Sequence, residues 1–156
     1  MKKTLSVLLL FALCLTLPAC GSKEPAPFDP EADAKTLLET AGVFAGDLEE
    51  VDQSTACALY GIDEATVTGA KVYMGNTGVS LEELAIFTLT DNDAAQKALT
   101  ALGYRIEDQR EAAAGYAGFL QAELPKLDGA ITQQRGASVL LLVAADYGPV
   151  EDFLKD

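Results

Sequence analysis

The run Val139-Leu140-Leu141-Leu142-Val143 is apolar at every position. A strand with one face in water alternates apolar and polar residues, so an uninterrupted run points to a strand covered on both faces and central in its sheet. A chain of 156 residues offers one domain in which to build that cover.

Three other segments complete its sheet. Residues 65–74 carry Val67, Val72, Tyr73 and Met74 and read as a strand ended by the turn residues Gly75-Asn76-Thr77-Gly78. Residues 84–90 are denser, with Leu84, Ile86, Phe87 and Leu89, and residues 130–133 precede a turn at Gln134-Arg135-Gly136. Between the pairs, residues 93–124 place Leu99, Leu102, Ile106, Ala113, Tyr116 and Leu120 at helical spacings before Pro125. A helix of that length reaches ~45 Å, about twice the strands beside it. It either overhangs the sheet or breaks, with Gly103 and the segment from Gly115 to Gly118 as the expected places. Asp146 is placed to cap a short final helix through Val150, Phe153 and Leu154. The expected fold is α+β: a four-stranded antiparallel sheet, β-β-α-β-β-α in spatial order 1-2-4-3, on one long helix.

Before the sheet, Asp29-Pro30-Glu31 has the form of a helix start, and the helix is expected to run to Ala41 and stop at Gly42. Its thin apolar face (Ala34, Leu37, Leu38, Ala41) suggests a place at the domain's margin. A second helix over 53–60 stops at Gly61, which suits a left-handed terminus.

Further upstream, Lys2 and Lys3 precede an apolar run over residues 5–17, and Leu17-Pro18-Ala19-Cys20 follows. A short cationic segment, an apolar core of this length and small residues before a cut describe an export signal. Cys20 stands where the bacterial lipobox places the cysteine that takes a diacylglycerol and becomes the new N-terminus. The run is shorter than the ~20 residues that span a bilayer. Residues 1–19 are therefore expected to be a cleaved lipoprotein signal peptide, with residues 20–30 the lipidated cysteine and a proline-rich flexible linker, ~30 Å at full stretch. Residues 31–156 form the expected domain.

Composition narrows the chemistry. Without Lys2 and Lys3 the chain holds 9 basic against 24 acidic residues, a charge of −15. Such a charge repels nucleic acid and anionic headgroups, so membrane association must come from palmitate-type acyl chains. Of three cysteines, Cys14 falls in the signal and Cys20 is consumed, leaving Cys57 without a disulfide partner. Cys57 reads as a small buried hydrophobe rather than a reactive thiol, with no histidine anywhere and no nearby cation. Absence of histidine removes the usual general base and the commonest zinc ligand. Neither a cofactor nor a metal is expected, and no phosphate loop or nucleotide fingerprint occurs.

The acidic pairs Glu49-Glu50, Glu82-Glu83 and Glu107-Asp108 read as solvated surface, because adjacent residues on a strand or helix point apart. Arg105, Gln109 and Tyr116 lie on or near one helical face. They are candidates either for orienting a ligand or for satisfying backbone carbonyls beneath the sheet. The small residues over 112–118 read as a packing contact.

Leu59-Tyr60-Gly61-Ile62-Asp63, Glu83-Leu84-Ala85-Ile86-Phe87, the helical set Arg105, Gln109 and Tyr116, and the strand at Val139 resemble a family of short lipoproteins from Gram-positive gut bacteria, catalogued as domain of unknown function four-three-five-eight. The resemblance runs from Leu59 to the C-terminus. That family's pattern has a proline soon after the tyrosine; here Gly118 stands there and Pro125 comes later, which implies a different helix end. The resemblance implies a shared fold and no activity, and transfers no functional residue.

These readings favour a membrane-anchored, extracytoplasmic, non-enzymatic binding or accessory module that meets an envelope protein, a peptide or a cell-wall ligand. The alternative is an envelope hydrolase working through a carboxylate pair. Cys20→Ala is expected to release the chain or to leave unprocessed precursor on membrane fractionation. A correctly shortened Cys20→Ala chain that stays with the membrane rules out the lipid anchor.

Overall fold

The computed structural model describes residues 24–155 apart from 77, 78, 116 and 117. The expected signal peptide, Cys20 and the first part of the linker lie outside the described residues, as does Tyr116.

Helix α1 (Pro30–Glu39) is followed by strand β1 (Glu49–Val51), helix α2 (Gln53–Tyr60) and strands β2 (Val67–Met74) and β3 (Glu83–Leu89). Helices α3 (Asn92–Gly115) and α4 (Phe119–Asp128) come next, then strands β4 (Ile131–Arg135) and β5 (Ser138–Val143) and the short helix α5 (Glu151–Lys155). All strand pairs are antiparallel, in the order β1-β2-β3-β5-β4.

The sheet has five strands rather than four. The added one, β1, is three residues long and pairs only with β2, matching Glu50 to Tyr73 and Val51 to Val72. Two glutamates in three residues hide its period, and charge with shortness also protects an exposed sheet edge. The other four strands stand in the spatial order expected.

β5 is buried at all six positions and lies between β3 and β4. Alternate residues serve two cores. Leu141, Val139 and Val143 join Ala85, Phe87 and Val72 against α2 and α3, with Cys57, Ala98 and Leu102. Leu140 and Leu142 join Leu84 and Ile86 on the opposite face, under Ala34 and Leu37 of α1 and Val150 near the C-terminus. The architecture is therefore three layers, helix on sheet on helix.

That second face corrects two expectations. α1 does not sit at the margin: Ala34 and Leu37 are completely buried, and this helix is the main cover of one side of the sheet. The linker also ends earlier than residue 30. Phe28 is buried beneath the Arg135 guanidinium, 4.4 Å from its ring centroid, and its N–H donates to Ser138 Oγ at 2.7 Å. A single aromatic in a proline-rich segment carries no periodicity, so only the cavity it fills reveals its role.

α1 starts as expected, with the Asp29 carboxylate accepting from the Glu31 and Ala32 N–H groups at 3.0 Å. It ends at Glu39, earlier than residue 41. α2 ends on Gly61 at φ 67°, the left-handed conformation that glycine adopts without strain.

The long helix breaks at the second of the two expected places. α3 runs straight through Gly103 and ends at Gly115, and α4 begins at Phe119 after Gly118, whose φ is 104°. Pro125 does not stop it: the proline is inside α4, where its missing N–H forfeits one helical hydrogen bond. Contacts beyond the proline hold the last turn. Leu127 is buried in the core, and the Lys126 carbonyl accepts from the Tyr147 hydroxyl at 2.7 Å.

Leu141→Ala removes a completely buried side chain from the strand that serves both layers. It is expected to cost ~2–5 kcal/mol in denaturant unfolding. A loss below about 0.5 kcal/mol, the range of ordinary surface substitutions, contradicts the central placement of β5.

Candidate functional site

Glu82 and Glu83 sit where β3 begins, 3 % and 0 % exposed. They point to opposite sides, as adjacent strand residues must. The expectation that they are solvated is wrong: each is buried and held by a cation from a different helix.

Glu83 shares the α3 side with Ala85 and Phe87. Its carboxylate accepts from Arg105 Nη2 at 2.9 Å and Nε at 3.2 Å, from Gln109 Nε2 at 2.6 Å, and from the Tyr60 hydroxyl. The four-residue spacing of Arg105 and Gln109 sets both side chains over one carboxylate. Arg105 also lies 5.9 Å from the centroid of the Tyr60 ring, whose edge meets Phe87. Burial works against the guanidinium's charge, but hydrogen bonding and attraction from Glu83 outweigh it and raise the Arg105 pKa. Tyr60 is pushed well above its ordinary value, first by burial and then by the charge of Glu83.

Glu82 faces the other way. It accepts from the Ala45 N–H at 3.0 Å and from Lys126 Nζ at 2.7 Å, tying the loop after α1 to α4. Lys126 also donates to Glu123 at 2.5 Å. The pull of Glu123 and Glu82 overcomes partial burial, and the Lys126 pKa is raised.

Between these two clusters a cleft of about 170 Å³ opens beside the start of β3. Met74, Leu81, Ala112 and Leu120 give it apolar walls, and Glu82, Glu83, Arg105, Asp108 and Gln109 its polar ones. Gly75 forms part of the wall and donates its N–H to the Glu82 carbonyl at 2.8 Å. A Cβ there would come within 2.8 Å of Ser80 Cβ, so a side chain would push the returning loop away.

Of the candidates read from the helix, the structure brings Arg105 and Gln109 together, with a carboxylate rather than backbone carbonyls as their shared partner. Sequence reading missed Glu83, Tyr60 and Lys126. The available signal was the period of two: Glu83 shares its face with Ala85 and Phe87 in a strand with no solvated side, so an acid there is carried into the core. Lys126 gave none, since only the fold brings it to Glu82. Cys57 is 2 % exposed and burial raises its thiol pKa, consistent with a packing role. Among the described residues, no three His, Cys, Asp or Glu side chains are grouped to hold a metal, and no helix is long and apolar enough to cross a membrane.

A family model described as Domain of unknown function (DUF4358) matches residues 42–144, from the loop after α1 to the end of β5. The chain belongs to that family. No curated protein and no solved structure matches it. The matched region contains Glu82, Glu83, Arg105, Gln109 and Lys126, whereas Phe28 and α1 lie before it.

The Tyr60 hydroxyl gives a test of the buried cluster. A pKa raised from 10.0 means that its contribution is complete below pH 10 and is lost as pH rises through the folded-state value. Urea unfolding is therefore expected to show stability falling above pH 10, with a shallower fall in Tyr60→Phe. At pH 7 that variant should be less stable by about 1.5–3 kcal/mol, the worth of a hydrogen bond to a charged group. Identical alkaline slopes in the two proteins contradict the assignment.

Proposed function

We propose that the chain is a lipid-anchored extracytoplasmic protein whose domain binds a ligand or partner through the cleft beside Glu83, Arg105 and Gln109. The lipobox-like Leu17-Pro18-Ala19-Cys20 supports the anchor, and a proline-rich tether would hold the domain near the outer face of the cytoplasmic membrane. Its partner would be an envelope protein, a peptide or a cell-wall fragment.

The observation that carries the binding reading is the state of the two carboxylates lining the cleft. Glu82 and Glu83 have their oxygens engaged by Lys126 and Arg105. A hydrolytic pair must present free carboxyl oxygens to its substrate, whereas those of Glu82 accept from Ala45 and Lys126 and those of Glu83 from Tyr60, Arg105 and Gln109. What the cleft offers instead is a small recess with apolar walls and fixed polar groups, the form of a recognition pocket.

Affinity capture tests this reading, with the chain from residue 21 onward as bait against envelope extract from its own organism. Ala112 is exposed at the cleft wall, so Ala112→Trp fills the recess from its rim. Recovery of a partner or ligand is expected to fall at least about tenfold in that variant, or about 1.4 kcal/mol in binding, with the unfolding midpoint unchanged. Equal recovery by both proteins, or hydrolysis of a wall or peptide substrate by the pure domain, overturns the proposal.

A further inference from the structure

We infer that the cleft opens away from the membrane, so that its ligand arrives from the aqueous side and not from the headgroup layer. The inference rests on the anchor and binding readings above and says from which side that site is reached.

Three contacts place the exit of the tether at one end of the sheet. The Phe28 N–H donates to Ser138 Oγ at 2.7 Å, at the first residue of β5. Pro27 lies beside the turn between β4 and β5, where a Cβ on Gly136 would meet its ring at 3.6 Å. Pro30 lies over the start of β2, where a Cβ on Gly69 would meet its ring at 3.9 Å. Residues 24–27 are exposed, so Phe28 is the first buried residue of the described chain. Strand register puts all three contacts together, since Gly69 and Ser138 both pair with Thr88. The cleft residues Met74 and Glu83 pair with each other at the opposite end, where Glu83 also meets Val143. Thr88 and Glu83 are five residues apart, ~17 Å along the strand.

Eight residues separate Cys20 from Phe28, a span of at most ~29 Å. Turning the cleft to the bilayer would take ~17 Å of that span to run back beside the strands. It would also press an acidic domain onto the headgroups: beyond residue 19, 9 basic residues stand against 24 acidic ones. Nothing in that balance draws the domain to an anionic surface, so the point of attachment decides which end lies nearest. The cleft end is then the far end. Its ligand is water-borne, a molecule in solution or one held beyond the headgroups, and a lipid is out of its reach.

The test anchors the chain from Cys20 onward to nanodiscs, with Cys20 coupled to a maleimide-bearing lipid; Cys57 is buried and is spared. Spin labels on the lipid headgroups then erase amide NMR signals close to the bilayer. Loss is expected at Gly69, Gly136 and Ala137, with Gly75, Glu83 and Ala112 retained. A second chain, Cys20→Ser with Val79→Cys, is anchored through an exposed position between β2 and β3, at the cleft end, and should lose the opposite set. Capture of the partner should be at least about tenfold weaker by the chain anchored at residue 79 than by the one anchored at Cys20. Equal patterns from the two anchoring points, loss centred on the cleft in the Cys20-anchored chain, or equal capture by both overturns the inference. Capture indifferent to Ala112→Trp removes the binding reading and leaves the orientation to stand on the signal loss alone.

Discussion

Two adjacent carboxylates buried at the mouth of the central strand constrain the rest of this structure. An ionised carboxylate out of water needs a cation and further hydrogen bonds, and removing one partner of a buried pair costs ~3–5 kcal/mol. Because strand geometry sends Glu82 and Glu83 to opposite sides, their cations must come from different directions. Arg105 arrives from α3 and Lys126 from α4, which fixes where both helices sit relative to the start of β3. The break between those helices follows from the same demand. A single straight helix would carry residue 126 beyond the sheet, whereas the turn at Gly118 brings it back to Glu82.

The cleft is a consequence of this arrangement. Arg105 and Gln109 anchor one wall on Glu83, while the segment returning from Gly75 to Glu82 supplies another. Its polar groups are positioned by bonds to the core rather than by flexible surface chains. Such a site presents fixed hydrogen-bonding groups with little to reorganise, a property of recognition surfaces. The core and the cleft thus share residues: Glu83 satisfies Tyr60 within the core and orients Gln109 at the cleft.

The second face of the sheet is built from separated pieces. Phe28, α1, the loop at Val43 and the C-terminal segment at Val150 each contribute one or two side chains to the layer over Leu84, Ile86, Leu140 and Leu142. Arg135 stacks on Phe28 and donates to the Phe153 and Leu154 carbonyls, closing the layer from the edge strand β4. The family model begins at residue 42, so this cover includes parts outside the matched region.

By itself, the sequence determined the elements whose signal is local. The fully apolar run at Val139 pointed to a doubly covered strand, Asp29 and Gly61 marked helix ends through backbone hydrogen bonding and left-handed geometry, and the four-residue spacing joined Arg105 to Gln109. Alternating chain direction implied an antiparallel sheet, and the simplest order for it is the one that four of the strands take. The tertiary structure decided what depends on partners distant in the chain. β1 exists because β2 offers its free edge; Phe28 and α1 are core because the far side of β5 must be covered; α4 continues past Pro125 because Leu127 is buried and the Lys126 carbonyl is held by Tyr147. The same holds for Glu82 and Glu83. In one dimension they look like any pair of surface acids, and only the arrival of Lys126 and Arg105 from 44 and 22 residues away makes their burial possible, since a buried charge is stable only beside its counter-charge.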